Sequence, residues 1–268
     1  MTSRIPSIFK TNANKQKKTF ISYLVCGDPT ENHTLLAMHI MADSGVDIIE
    51  LGIPFTDPIA DGPVIQKSID RALKNNTSLK DVISVVKKFR QKNKSTAVVL
   101  MGYMNPVHKM GIKLFSKSIQ DNDIDGVLIV DSPPEESITL NKQLKKYNKS
   151  HIYLASPTTT DSRMKDITKM SSGYVYYVTV KGITGSKLTD LNSIKSNVKK
   201  IKSFSKNNIP VAVGFGIKDS KSAKQMAKFS DGIIIGSSIV ELMYKHSNNK
   251  KNMEKHLSNY LSSISKAI

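Results

Sequence analysis

The residues best equipped for chemistry are Glu50 and Asp61, which bracket a proline-rich loop within residues 49–63, IELGIPFTDPIADGP. Glu50 closes an apolar run, Val46-Asp47-Ile48-Ile49-Glu50-Leu51. Period-2 alternation places it on one face with Val46 and Ile48. A carboxylate on an apolar face is costly unless it has a task, and burial there raises its pKa. Glu50 is therefore expected to donate or shuttle a proton. Asp61 sits in a polar loop and is expected to stay ionised, holding an N–H group or a developing positive charge. The plainer alternatives are a hydrogen-bonded structural carboxylate at Glu50 and a turn-forming Asp-Gly at Asp61. Pro54, Pro58 and Pro63 fix φ, and Gly52 and Gly62 permit tight turns, so the loop can hold one shape around a small substrate. Asp57 reads as an Asx cap or a loop latch with no chemical step.

A second group of residues suits an anion. Glycine-containing loops occur at Gly182-Ile-Thr-Gly185, at Gly214-Phe-Gly216 and at Gly236-Ser237. Glycine lets backbone N–H groups approach a ligand, and Gly236-Ser237 also opens a helix, whose free N–H groups favour negative charge. Any one of these loops alone reads as a simple turn; three at the ends of successive strands point to phosphate. Tyr176 shares a face with Tyr174 and either lines the pocket or fills the interior. The histidines are scattered without metal-ligand spacing, so no metal is expected.

These residues must be positioned by a regular frame. Apolar runs at 20–25, 46–51, 97–101, 126–130, 152–155, 174–180, 211–214 and 232–235 read as strands. Amphipathic stretches lie between them at 32–44, 64–90 with a break near Asn75-Asn76, 111–121, 135–148, 161–170, 191–205, 220–229 and 237–246. Eight such βα units predict an α/β fold, a (β/α)8 TIM barrel of one domain over residues 1–268, with an extra helix at 251–266 and a short one at 5–9 capping the bottom. Chemistry in such barrels sits at the C-terminal ends of the strands. Glu50, Asp61, Asp131 and Tyr176 all fall there.

Composition narrows the partners. The net charge is +18, which invites a nucleic-acid reading. Of 40 basic residues only Arg4, Arg71, Arg90 and Arg163 are arginine, and the lysines are spread along the whole chain. Nucleic-acid readers favour arginine and stacked aromatics, so no dedicated nucleic-acid site is expected. No run approaches the roughly 20 apolar residues of a membrane span. The N-terminus lacks the apolar core of a secretory signal, and a single cysteine, Cys26, excludes an internal disulfide; both suit a cytoplasmic protein. Cys26 reads as an inert small residue.

Taken together, the motifs resemble the α-subunit family of tryptophan synthase from end to end. They are Gly27-Asp28-Pro29, Glu50-Leu-Gly-Ile-Pro-Phe-Thr-Asp-Pro-Ile-Ala-Asp-Gly-Pro63, Tyr103-Met-Asn-Pro106, Asp131-Ser-Pro-Pro-Glu-Glu136, Ser156-Pro-Thr-Thr-Thr-Asp161 and the three glycine loops. The resemblance implies retro-aldol cleavage of indole-3-glycerol phosphate to indole and glyceraldehyde 3-phosphate, without a cofactor in this chain. It implies that Glu50 protonates indole C3 and then takes a proton from the C3′ hydroxyl, while Asp61 holds the indole N–H. Gly185, Gly216, Gly236 and Ser237 would carry the phosphate. Tyr23, Met101, Leu128 and Ile234 would surround the ring, with Tyr176 near the acid. A pyridoxal-phosphate β subunit is implied as partner in an α2β2 heterotetramer, with Pro54, Asp57 and Thr184 in loops that respond to it. A silent chain kept as an allosteric partner of the β subunit is the alternative. The chain departs from the family pattern at Thr179-Val180, where Ser-Arg is usual, at Ile235, often serine, and at Cys26. Loss of the charge at Val180 implies weaker partner-coupled closure.

Overall fold

Eight parallel strands close on themselves in sequence order in the computed structural model. The structure describes residues 3–179, 191–205, 208–214 and 216–268. The strands are β1 (Thr19–Val25), β2 (Ile48–Gly52), β3 (Ala97–Gly102), β4 (Gly126–Ile129), β5 (Ser150–Ala155), β6 (Val175–Val178), β7 (Val211–Gly214) and β8 (Gly232–Ile235). Helix α1 (Ile5–Asn14) precedes them. Around the sheet run α2 (Glu31–Asp43), α3 (Pro63–Lys74), α4 (Leu79–Lys92), α5 (Met104–Met110), α6 (Ile112–Asp121), α7 (Ile138–Lys146), α8 (Asp161–Met170), α9 (Leu191–Phe204), α10 (Ser220–Ala227), α11 (Ser237–His246) and α12 (Lys250–Ser265). This is a (β/α)8 TIM barrel. Among the described residues no helix is long and apolar enough to cross a membrane.

The strands read as unbroken apolar runs because both of their faces are covered. Outward side chains such as Phe20, Leu24, Ile49 and Val98 pack under the helices, while Ile21, Ile48, Val99, Leu128, Ile152 and Ala212 fill the barrel. The face assigned to Glu50 needs one correction. Ile48 points inward, but Val46 lies before β2, bonds back to Met41, and packs in the outer layer. The strand's alternation begins only where its ladder begins.

Three further differences have local causes. The break near Asn75-Asn76 separates α3 from α4, with Asn76 at φ 55° and Ser78 sharing a capping box with Asp81. Helix α5 follows β3 where a loop was expected, because Asp131 accepts a hydrogen bond from the Met104 N–H at 2.8 Å, at the helix's first turn. Helix α1 is longer than expected and closes the N-terminal end of the barrel with Ile5 and Phe9.

That N-terminal end is tied by a charge network. Asp125, fully buried before β4, accepts from Arg4 Nη1 at 2.9 Å, Arg90 Nη2 at 2.7 Å, and the backbone N–H groups of Arg4 and Val98. Arg4 also bonds Asp123. Both oxygens of Asp125 are thus shared between two guanidinium groups and two amides.

Candidate active site

A cavity of about 560 Å³ opens at the C-terminal ends of the strands and is lined by Glu50, Asp61, Tyr23, Tyr176, Gly216 and Gly236, among others. Its floor is the barrel interior.

Glu50 projects inward from β2, where Tyr23 of β1 and Val99 of β3 are its register partners. It is 0 % exposed. The Tyr174 hydroxyl donates to its Oε1. Its Oε2 is buried with no hydrogen-bond partner among the described residues. Burial pushes the carboxyl up to about 7, against the lowering effect of the Tyr174 bond. A group with that value can hold a proton at neutral pH and release it.

Asp61 is held by a tyrosine of its own. The Tyr103 hydroxyl donates to Asp61 Oδ2 at 2.7 Å and accepts from the Ala60 N–H at 3.1 Å. Gln66 Nε2 donates to the Asp61 carbonyl at 2.9 Å. The loop gives Asp61 more cover than its polar sequence suggests: burial raises its pKa above the usual carboxylate value, and the Tyr103 bond opposes that shift. Helix α3, which starts just after Asp61, is tethered in turn. Arg71 donates to Asp28 through Nε and Nη2, each at 2.7 Å, and Ser68 bonds the same carboxylate. The Gly27-Asp28-Pro29 motif thus anchors the helix that presents Asp61.

Two tyrosines enter the cavity because glycines face them. A Cβ on Gly52 would collide with the Tyr23 hydroxyl, and one on Gly214 with the Tyr176 hydroxyl. Met101 and Ile234 line the same wall. Leu128 does not. It is fully buried a layer deeper, and Val130 takes its expected place at the cavity. Strand tilt accounts for this: Leu128 is the register partner of Met101, but equal register on a tilted neighbour is not equal depth.

At the other side of the cavity, Gly216 adopts φ +78° after β7, and Gly236 is the N-cap of α11. Ser237 and Ser238 begin that helix and line the cavity, so its unpaired N–H groups are available to an anion. Ser238 was not expected, although the Gly-Ser-Ser helix start carried the signal. Ile235 is buried against the outer layer. Pro54 is buried, whereas Asp57 is exposed and accepts from its neighbour Thr56 at 2.6 Å. Gly182, Thr184, Gly185 and Val180 lie outside the described residues. Cys26 is buried, and burial pushes its thiol pKa up, away from reactivity. Among the described residues no His, Cys, Asp and Glu cluster could hold a metal ion.

The residues that sequence did not single out are Tyr174 and Tyr103 as the partners of the two acids. Each stands in a motif or strand that was read, but a hydroxyl's partner across the barrel is set by register.

Comparison with known proteins places the whole chain beside one group of relatives. A family model described as tryptophan synthase alpha chain matches residues 9–268. The tryptophan synthase alpha chain of Paraburkholderia phytofirmans is 46 % identical over 241 residues, 90 % of this chain and 88 % of that one. That of Ruthia magnifica is 41 % identical over 266 residues, 99 % of both. A crystal structure of tryptophan synthase subunit alpha from Legionella pneumophila superposes with a TM-score of 0.91 at 36 % identity, covering 100 % of this chain and 99 % of that one. Tryptophan synthase from M. tuberculosis in an aminoacrylate-bound form gives 0.87 at 25 % identity, with both chains fully covered.

Proposed function

The chain belongs to the tryptophan synthase alpha chain family, a lyase that cleaves indole-3-glycerol phosphate to indole and glyceraldehyde 3-phosphate in tryptophan biosynthesis, and we propose that Glu50 and Asp61 divide the proton chemistry of that reaction. The observation that carries this reading is the buried, unpartnered Oε2 of Glu50 in a cavity shared with Asp61.

Glu50 delivers its proton to C3 of the indole ring, and the ring nitrogen takes the positive charge. Asp61 accepts the N–H hydrogen bond and stabilises that charge. The ionised Glu50 then removes the proton from the hydroxyl on the carbon bonded to the ring. That oxygen becomes the aldehyde carbonyl, the carbon–carbon bond breaks, and its electron pair returns to the ring to neutralise the nitrogen. C3 keeps the first proton in the released indole, and the proton taken from the hydroxyl leaves Glu50 protonated again for the next turnover. Gly216, Gly236, Ser237 and Ser238 hold the phosphate through backbone N–H groups. Tyr23, Met101, Tyr176 and Ile234 enclose the ring.

Alpha chains of this family act without a cofactor of their own and with a β-subunit partner. In our reading that partner carries pyridoxal phosphate, the assembly is α2β2, and the protein is cytoplasmic. The exposed loop tip with Asp57 and Ile59, beside Pro54, is the surface that meets it. The 268 residues work as one domain.

The test is indole release from indole-3-glycerol phosphate by the purified chain, with and without a tryptophan synthase β subunit. Slow release that rises with the partner is expected. Glu50→Gln or Asp61→Asn with full lyase activity would overturn the assignment of the acids.

A further inference from the structure

We propose that Phe9 of α1 is a positioning residue for Glu50, acting from the closed end of the barrel through the ring of Tyr174. The proposal rests on the reading of Glu50 as the proton donor.

Tyr174 is the only side chain in hydrogen-bond contact with Glu50 among the described residues. Tyr174 stands immediately ahead of β6, which begins at Val175. Its ring is buried in the inner core cluster. Phe9 is its aromatic neighbour there, with ring centroids 5.7 Å apart and planes tilted by 43°. Both side chains are buried. The preceding residue, Gly173, has φ +101°, and a Cβ there would lie 3.1 Å from Ile5 Cγ2. Helix α1 thus packs on two consecutive residues, Gly173 and Tyr174, just ahead of β6. The helix is fixed in its turn by Arg4, its N-cap, which bonds Asp123 and Asp125.

Phe9 does not line the substrate cavity. It borders a separate cavity of about 600 Å³ at the opposite end, with Pro6, Lys10 and Gly173. Removing its ring joins that space to the barrel interior and leaves Tyr174 without a wall. The Tyr174 hydroxyl can then leave Glu50 Oε1, and the carboxyl loses the one bond that aims its other oxygen at the substrate. A loss of this kind is felt in the chemical step and not in substrate binding.

The test is a double-mutant cycle in the full chain with its β subunit, using Phe9→Ala, Tyr174→Phe and both together, with indole-3-glycerol phosphate as substrate. Phe9→Ala is expected to lower kcat about tenfold, the scale of a hydrogen bond to a charged group, and to leave KM within about twofold. Because Glu50 must be protonated to act, its titration sets the alkaline limb of the kcat/KM profile, and that limb should move to higher pH in both single variants, since the bond to Tyr174 lowers the pKa of Glu50. In the Tyr174→Phe background, Phe9→Ala should add less than about a twofold loss. Phe9→Leu, which keeps bulk and fold, should lie between. Multiplicative losses, or an unmoved pH profile in Phe9→Ala and Phe9→Leu, would overturn the proposal. Glu50→Gln is run alongside. If it is inactive while the cycle is multiplicative, only the role of Phe9 falls; if it stays active, the acid assignment falls first.

Discussion

Two fully buried carboxylates of this barrel, Asp125 toward one end and Glu50 toward the other, are held in opposite ways. At the N-terminal end Asp125 has both oxygens occupied, by two guanidinium groups and two backbone amides. At the C-terminal end Glu50 is equally buried, but one oxygen takes a neutral phenol and the other has no partner among the described residues. Burial costs are therefore met at Asp125 and left standing at Glu50. A saturated acid contributes to the fold and has no free valence for a substrate. An under-bonded acid weakens the fold and keeps a proton that it can give away. Charge and depth alone do not separate the two roles; the number of partners does.

Exchanging these bonds one at a time tests the contrast. The largest effect is expected for Glu50→Gln. Because the same group first donates and then accepts, kcat for indole release should fall by the upper range for general acid–base catalysis, on the order of 10⁴-fold, with the circular dichroism spectrum unchanged. Asp125→Ala should do the reverse. It strands Arg90 and part of Arg4, costing roughly 4 kcal/mol of unfolding free energy in urea titration, while Arg4 keeps Asp123 and activity per folded molecule falls by less than the loss of about tenfold expected of Phe9→Ala. A large loss of kcat in the folded fraction of Asp125→Ala would break the division between the ends.

Stability against pH should carry the same signature. In the folded chain Glu50 titrates near 7, above its ordinary value of 4.5. The folded state keeps this proton after the unfolded chain has lost it. The contribution is therefore full below pH 4.5 and disappears as pH rises through 7, at a cost of roughly 3 kcal/mol. Glu50→Gln should flatten the wild-type slope over that interval by this amount, read as the urea midpoint at successive pH values. An identical slope in both proteins would mean that Glu50 is not buried as an acid. The smallest effect is expected at Tyr103→Phe, which removes the hydroxyl holding Asp61. A loss of about tenfold in kcat/KM fits one hydrogen bond to a charged group.

Sequence and structure agree where information is local. The strands were readable because residues such as 232–235 are apolar on both faces. The loop from Glu50 to Pro63 was readable because its prolines and acids are contiguous. What was not readable depends on distance around the barrel. Glu50 and Tyr174 meet across 124 positions, and Arg4 and Asp125 across 121. Alternation also gives a side, not a height. It extended the inner face to Val46, which the ladder never reaches, and the resemblance that set Leu128 beside the ring carried no height either: Leu128 is buried below the cavity.

The facing of Tyr23 by Gly52, and of Tyr176 by Gly214, makes each pair a single heritable unit. An alanine at either glycine would evict a phenol, and a phenol cut back to alanine would leave a hole that the glycine cannot fill. A lineage that reshapes this slot for a wider or narrower aromatic ring must therefore change both members of a pair together, or pass through an intermediate that is worse than either end.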